Sequence, residues 1–166
     1  MGEEIKNTDG KSELDEVSTD GMISELDITN VTTGDKNRGR YLYYQLKQSM
    51  RNAKSIDIVV SFLMESGVKM ILSDLKQALS RDVKINILTG NYLGITQPSA
   101  LYLIKQELGE KIDLRFYNDK SRSFHAKAYF FHYENRNEVF IGSSNISRSA
   151  LTSGIEWNYR LEDSVD

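Results

Sequence analysis

The feature that most constrains the fold is a regular alternation of short apolar runs with segments of helical periodicity between residues 40 and 161. Residues 55–62 (SIDIVVSF) and 84–89 (KINILT) are rich in β-branched side chains and predict two buried strands. Between them, residues 65–79 repeat apolar side chains at helical spacing, which predicts an amphipathic helix. Strands that alternate with helices favour an α/β fold over a helical bundle or an all-β sandwich.

Further elements follow the same alternation. Helices are expected over residues 40–53 and from Pro98 to the residue before Gly109, because proline suits a first turn and glycine a helix end. More strands are expected over residues 111–117, 126–133, 137–141 and 155–161. The turn at 134–137 makes two of these strands a hairpin. The chain therefore predicts the α/β (α+β) class, with a mixed β-sheet sandwiched by helices.

The beginning of the chain differs in composition from the rest. Residues 1–27 carry nine acidic and two basic residues, a net charge of −7, and we expect residues 1–21 to be a flexible acidic tail. Residues 22–166 are expected to form a single domain. Residues 28–166 carry 15 acidic and 19 basic residues, a net charge of +4. This mildly basic body permits a polyanionic partner but does not by itself require one.

Several protein classes do not fit this composition. No run approaches the roughly 18 to 20 apolar residues that cross a bilayer, and the first residues lack the basic and apolar parts of a signal peptide. Zero cysteines and two histidines argue against disulfides and against thiolate or histidine-rich metal sites. We therefore expect a cytoplasmic protein without a membrane partner, whose site uses neither a metal nor a cofactor.

Three polar motifs follow one another in the second half: His125-Ala126-Lys127, then Gly142-Ser143-Ser144-Asn145, then Glu156. Residues i and i+2 of a strand share a face, so an imidazole and an ammonium are expected to meet one substrate. Glycine at the end of the next strand allows close backbone approach, and the serines and asparagine offer short polar groups. Each motif alone is common, but chance is a poor explanation for all three in this order.

The first two motifs resemble the HxK and GSxN half-site of the phospholipase D superfamily of phosphodiesterases. Glu156 lies eleven residues after Asn145, where nuclease members of that superfamily carry an acidic residue that supports the catalytic histidine. The order of strands and helices over residues 40–161 is also similar to one superfamily domain. The likeness is greatest to the nuclease branch, which includes domains at the start of bacterial superfamily 2 helicases and restriction-type endonucleases.

The resemblance implies a role for each motif residue. His125 would attack phosphorus to form a phosphohistidine, and Lys127 would neutralise the phosphate. Asn145 and Ser143 would donate hydrogen bonds to its oxygens, and Glu156 would orient the imidazole. The further substrate-binding candidates are Ser144, Arg148, Lys120 and Arg122, although solvated surface charge explains the three basic residues equally well.

One departure from the family pattern bears on the substrate. The pattern has an aspartate five residues after the lysine, and this chain has His132 there. Lipid-hydrolysing members usually keep that aspartate, so its absence favours a divergent nuclease. On a regular strand His132 would lie on the opposite face from His125, which indicates a structural or surface role. Because the chemistry needs two histidines and the chain carries one half-site, the resemblance implies a homodimer with one shared active site.

The expected function is therefore cleavage of DNA, with RNA left open, as the endonuclease domain of a helicase or restriction system. Two alternatives remain. The chain is a catalytically weak nucleic-acid-binding or dimerisation module of a larger helicase, or it is a phosphodiesterase for lipid or another small diester. Trp157 and Tyr159 are expected to serve core or interface packing rather than base stacking. The loop Thr89-Gly90-Asn91 is only weakly typical of a ligand-facing loop and is left outside the site.

Overall fold

The computed structural model describes residues 31–32, 41–119 and 121–164. The acidic tail expected at residues 1–21 and the candidate Lys120 lie outside these ranges. The strands are β1 (Val31–Thr32), β2 (Ser55–Val60), β3 (Lys84–Gly90), β4 (Ile112–Tyr117), β5 (Lys127–His132), β6 (Arg136–Gly142) and β7 (Asn158–Ser164). The helices are α1 (Leu42–Asn52), α2 (Glu65–Leu79), α3 (Pro98–Leu108) and α4 (Arg148–Leu151).

All seven strands belong to one mixed sheet with the order β1-β7-β6-β5-β2-β3-β4. Strands β2, β3 and β4 are parallel and are connected through α2 and α3. Strands β5, β6 and β7 are antiparallel to their neighbours, and β5 and β6 form the expected hairpin. The α/β class and the mixed sheet are confirmed. The crossover helices explain the parallel half, because parallel neighbours cannot be joined by a tight turn.

One face of the sheet carries the hydrophobic core. Ile56, Ile58 and Val60 alternate with half-buried residues along β2 and are at most 1% exposed. They share a single cluster with Leu46 of α1 and Leu75 of α2, and α3 contributes to the same cluster. The helices of the described ranges therefore form one layer on one face, whereas the sequence predicted helices on both faces.

The other face of the sheet is open along β6 and β7. Ile141, Trp157, Tyr159 and Leu161 are 45 to 55% exposed, and Ile141 lies opposite Tyr159 in the register of the two strands. The alternation of strands and helices predicted a sheet covered by helices, but this part of the open face carries no helix of the described ranges. In the described chain Trp157 and Tyr159 thus lie outside the core.

Most element bounds agree with the sequence, and the start of the last strand differs. Helix α2 spans the expected residues, and α3 has Pro98 in its first turn and Gly109, with φ of 63°, as its C-cap. The last strand begins at Asn158 and not at Ile155, because the preceding backbone bends to bond with Ser143. The short helix α4, capped by the Ser147 side chain, was not predicted. No helix in the described ranges is long and apolar enough to cross a membrane.

Candidate active site

The three polar motifs meet at one end of the sheet. Val60, the last residue of β2, pairs with Lys127, the first residue of β5. Because β5, β6 and β7 run antiparallel, β6 ends and β7 begins at this same end, where Gly142 pairs with Asn158. The carboxyl ends of parallel strands are a common place for ligand sites in open α/β sheets.

Lys127 is the buried cation of the site. Its side chain is 7% exposed, and Nζ donates a hydrogen bond of 2.9 Å to the carbonyl oxygen of His125. Burial lowers the pKa of Lys127, and the negative charge of Glu156 acts in the opposite direction and raises it. An ammonium has three donors, so two remain for the oxygens of an anion.

His125 precedes β5 and is exposed to solvent. The expectation that a regular strand aligns His125 with Lys127 is wrong in its geometry, because β5 begins only at Lys127. The bond from the Lys127 side chain to the His125 backbone joins the two residues instead. The imidazole packs on Tyr92, with ring centroids 4.4 Å apart and planes tilted by 39°. The ring is therefore supported on one face while it remains accessible.

Gly142 permits the close approach of β7. A Cβ atom at this position would lie 2.0 Å from the carbonyl oxygen of Trp157 and 2.6 Å from the Cα atom of Asn158. Real Cβ atoms do not come so close to backbone, so no other residue fits without moving β7. The sequence prediction that this glycine allows a close backbone approach is confirmed.

Ser143 connects this turn to Glu156. Its backbone N–H donates to the Trp157 carbonyl oxygen at 2.9 Å, and its hydroxyl accepts from the Trp157 N–H at 3.0 Å. The same hydroxyl donates to the carboxylate of Glu156. In the described single chain Glu156 makes no hydrogen bond or ion pair with the imidazole of His125. The partner observed for Glu156 is therefore Ser143, at the mouth of the site beside Lys127.

Ser144 and Asn145 are both buried, with different consequences. Ser144 has no exposed surface, and its hydroxyl donates to the Ala150 carbonyl oxygen and accepts from the Asn158 side chain. The expectation that Ser144 contacts substrate is contradicted by this burial, and its contacts hold the turn. Asn145 is 5% exposed, and its Oδ1 accepts from the backbone of Phe62 at 3.2 Å. This bond fixes Asn145 to the segment that follows β2. The amide N–H groups of Asn145 take no part in it, because Oδ1 is the acceptor.

The outer candidates lie on two sides of the motifs. Arg148 is exposed at the start of α4, and its backbone N–H donates to the Ser66 hydroxyl at 3.4 Å. Arg122 is exposed on the loop between β4 and β5 and lines a cleft next to His125. His132 lies on the open face of the sheet, where its ring contacts Asp57 and Asn137 at 2.9 and 2.8 Å. These contacts fit the structural role expected for His132.

Sequence reasoning missed the aromatic neighbours of His125. Tyr92 follows Thr89-Gly90-Asn91, the loop left outside the site, and Phe124 packs on Gly90 with a ring carbon 2.8 Å from where a Cβ would stand. The position of that loop after a parallel strand was the signal that could have included it. Within the described ranges no three His, Cys, Asp or Glu side chains are grouped so that they could share a metal ion.

Comparison with known proteins identifies one matching family profile. The profile, described as cardiolipin synthase, PLD-like domain, matches residues 45–165. This range includes every candidate site residue, and it begins within α1. No curated protein sequence matches the chain at a significant level.

Three solved structures share the fold. NucT from Helicobacter pylori aligns with a TM-score of 0.59 and 16% identity over 78% of this chain and 82% of that one. Polyphosphate kinase from Porphyromonas gingivalis aligns with a TM-score of 0.57 and 17% identity over 80% of this chain and 19% of that one. Phosphatidylserine synthase from Haemophilus influenzae aligns with a TM-score of 0.57 and 15% identity over 81% of this chain and 34% of that one. The last two are much longer chains.

Proposed function

The chain belongs to the phospholipase D-like domain family, as its motifs indicated, and from this membership we propose that it is a metal-independent phosphodiesterase that cleaves DNA. The observation that carries the proposal is the convergence of Lys127, Asn145 and the exposed ring of His125 at one end of the sheet. A buried ammonium with free donors binds a phosphate diester, and an adjacent accessible imidazole can attack it.

The proposed reaction has two displacements at phosphorus. An imidazole nitrogen of His125 forms a P–N bond while the P–O bond to the leaving strand breaks, and a second imidazole protonates the leaving oxygen. Water then attacks the phosphohistidine, the P–N bond breaks, and the second imidazole takes the proton from water. Lys127 stabilises the negative charge that increases on the equatorial oxygens in both steps.

The second imidazole would come from a second copy of the chain. His132 is not available for this role, because its ring is occupied by Asp57 and Asn137 on the open face of the sheet. A twofold homodimer would bring two copies of His125 to one phosphorus. We propose that this dimer works in the cytoplasm as the nuclease part of a helicase or restriction system.

A weak nucleic-acid-binding or dimerisation module of a larger helicase is the second candidate. The observation that favours it is that Glu156 bonds Ser143 and not His125 in the single chain, so the nucleophile has no carboxylate to orient it. Cleavage of plasmid and single-stranded DNA in EDTA, compared with His125→Ala, separates the two candidates. A parallel assay with phosphatidylcholine tests the lipid alternative, which predicts release of choline at a higher rate than DNA cleavage.

A further inference from the structure

A cleft of about 400 Å³ opens beside His125 and is not used by the proposed chemistry. It lies between the turn after β3, which contains Tyr92 and Leu93, and residues 117–119 and 122–124, which include and follow the end of β4. Its volume falls in the range of sites for small ligands, and it is too small for a folded partner. The Tyr92 ring is shared between this cleft and the imidazole of His125. A group in the cleft would thus be adjacent to a phosphate at the site.

Aromatic rings form much of the cleft. Tyr117 and Phe124 are stacked with centroids 4.9 Å apart, and both rings line the cleft together with Tyr92. Gly90 lets the Phe124 ring lie directly on the backbone of β3, because a Cβ there would be 2.8 Å from a ring carbon. Flat rings next to a phosphate site are the arrangement by which proteins stack unpaired bases.

Leu93 at the edge of the cleft supports an apolar ligand surface. Its side chain is 79% exposed, and its φ of 51° is in the left-handed region that residues other than glycine rarely adopt. An exposed leucine on an unfavourable backbone gains nothing from packing within the described chain. Contact with the flat face of a ligand would use this side chain.

The charges of the cleft distinguish a base from a phosphate. Hydrogen bonds from the Ser121 hydroxyl and backbone N–H lower the pKa of Asp119, so its carboxylate remains charged at neutral pH. A carboxylate repels a phosphate, but it accepts hydrogen bonds from the N–H groups of a base. Arg122 on the same cleft supplies a cation for the phosphate that accompanies that base.

We propose that this cleft stacks one unpaired nucleobase next to the phosphodiester at His125, so that the substrate is single-stranded or locally unpaired nucleic acid. The inference rests on the proposed function, which it narrows to one substrate class. In a duplex each base is stacked between neighbours and its pairing edge is occupied. A base must leave the helix before it can enter a pocket of this size.

The test measures the affinity of the full-length chain for an oligonucleotide that contains 2-aminopurine, as a single strand and in a duplex. We expect quenching of 2-aminopurine fluorescence in the single strand and at least about tenfold tighter binding than to the duplex. Tyr117→Ala should raise the Kd for the single strand by about 5- to 150-fold, the range for loss of one stacked base. Tyr117→Phe keeps the ring and should stay within about twofold of wild type.

Two further variants guard against misfolding. Leu93→Gly relieves the left-handed backbone, so its unfolding midpoint should equal or exceed that of wild type while its Kd for the single strand rises. Tyr102→Ala removes an aromatic ring that is 74% exposed on α3, outside the cleft, and should bind as wild type does. Equal affinity for single strand and duplex, or unchanged binding by both Tyr117→Ala and Leu93→Gly, would overturn the proposal.

A strand of abasic residues separates this inference from the proposed function. Wild type and Tyr117→Ala should cleave it at the same rate, because it has phosphodiesters and no bases, and His125→Ala should not cleave it. If wild type cleaves abasic and normal single strands with equal kcat/KM, the base site is contradicted and the phosphodiesterase stands. If no strand is cleaved but stacking is lost in Tyr117→Ala, the base site stands and the proposed function is wrong.

Discussion

The Nζ atom of Lys127 lies 2.9 Å from the carbonyl oxygen of His125 and donates a hydrogen bond to it. This bond joins the backbone of His125, the proposed nucleophile, to the side chain of Lys127, the residue proposed to bind the phosphate. The position of His125 therefore depends on Lys127. It also explains how His125 can be placed before a strand begins and still have a defined position. The imidazole ring itself is exposed, and the Tyr92 ring packs against one of its faces.

Lys127 gives the first prediction, which concerns pH. Burial lowers the pKa of its ammonium, so the charge that would bind phosphate is lost at lower pH than in an exposed lysine. We expect kcat/KM to fall on the alkaline side as pH rises through this lowered pKa. In Lys127→Arg the guanidinium stays charged, so any remaining activity should lack this alkaline decline. If kcat/KM falls over the same alkaline pH range in wild type and in Lys127→Arg, a group other than Lys127 is responsible for the decline.

The variant Lys127→Met measures how much the charge of Lys127 contributes to turnover. It removes the cation but has a similar apolar stem, and turnover of DNA should fall by about 10² to 10³, as when one donor to a developing charge is lost. Single-turnover rates measure the effect. The matched control is Lys69→Met on α2, an exposed lysine that pairs with Glu65 within the described ranges, and this variant should leave the rate unchanged.

Glu156 and Ser143 should act as a pair. If the carboxylate orients His125 in the assembled site, Glu156→Gln should reduce turnover by about 10² to 10⁴ while dimerisation and DNA affinity remain. Ser143→Ala removes the hydroxyl that donates to Glu156 and should reduce turnover in the same direction. Because the two act through one contact, the double variant should be about as slow as Glu156→Gln alone. Turnover within about threefold of wild type in both single variants would refute the role of Glu156 and Ser143 in orienting His125.

The Gly142 position predicts a large stability effect. Gly142→Ala would place a methyl group against the Trp157 carbonyl, and we expect a loss of about 3 kcal/mol or more in the free energy of unfolding. Gly94→Ala is the control, because Gly94 has a φ of 72° but open space around it, and it should cost only about 1 kcal/mol. Urea unfolding of both variants gives the comparison. Equal losses in the free energy of unfolding for Gly142→Ala and Gly94→Ala would mean that β7 can shift away from residue 142 without a large loss of stability.

The dimer is tested by mass in solution. Light scattering at micromolar concentration should give a species of twice the chain mass of 19.0 kDa. A second measurement mixes wild type with an excess of His125→Ala. A shared site requires both imidazoles, so mixed dimers should be inactive and the activity of the wild-type chains should fall as the excess of the variant increases. A monomer that cleaves DNA would contradict the shared-site mechanism.

Much of the fold could be predicted because its signals are local. Helix α2 begins and ends where the apolar period of its sequence does, and the proline and glycine around α3 mark both ends. The start of β7 was misplaced because Ile155 and Trp157 look like strand residues. Their backbone instead follows the turn at Ser143, a contact over fourteen residues that no local pattern contains.

The site was predictable to the extent that its motifs are contiguous. The sequence indicated His125, Lys127 and Asn145, and the pairing of β5 with β2 and β6 brings them to one end of the sheet. Tyr92 could not be predicted in the same way, because its contact with His125 depends on how β3 lies beside β2. The burial of Ser144 was also hidden, since its partners Ala150 and Asn158 belong to later elements.

The most direct test of His125 as the nucleophile of a metal-independent reaction compares the two histidines of the chain. DNA cleavage is measured in EDTA for wild type, His125→Ala and His132→Ala. We expect cleavage by wild type in EDTA, no detectable cleavage by His125→Ala, and near-normal turnover by His132→Ala. The loss of the contacts to Asp57 and Asn137 should lower the free energy of unfolding of His132→Ala by about 1 kcal/mol. Cleavage by His125→Ala at the wild-type rate, or cleavage that needs added magnesium, would contradict this role of His125.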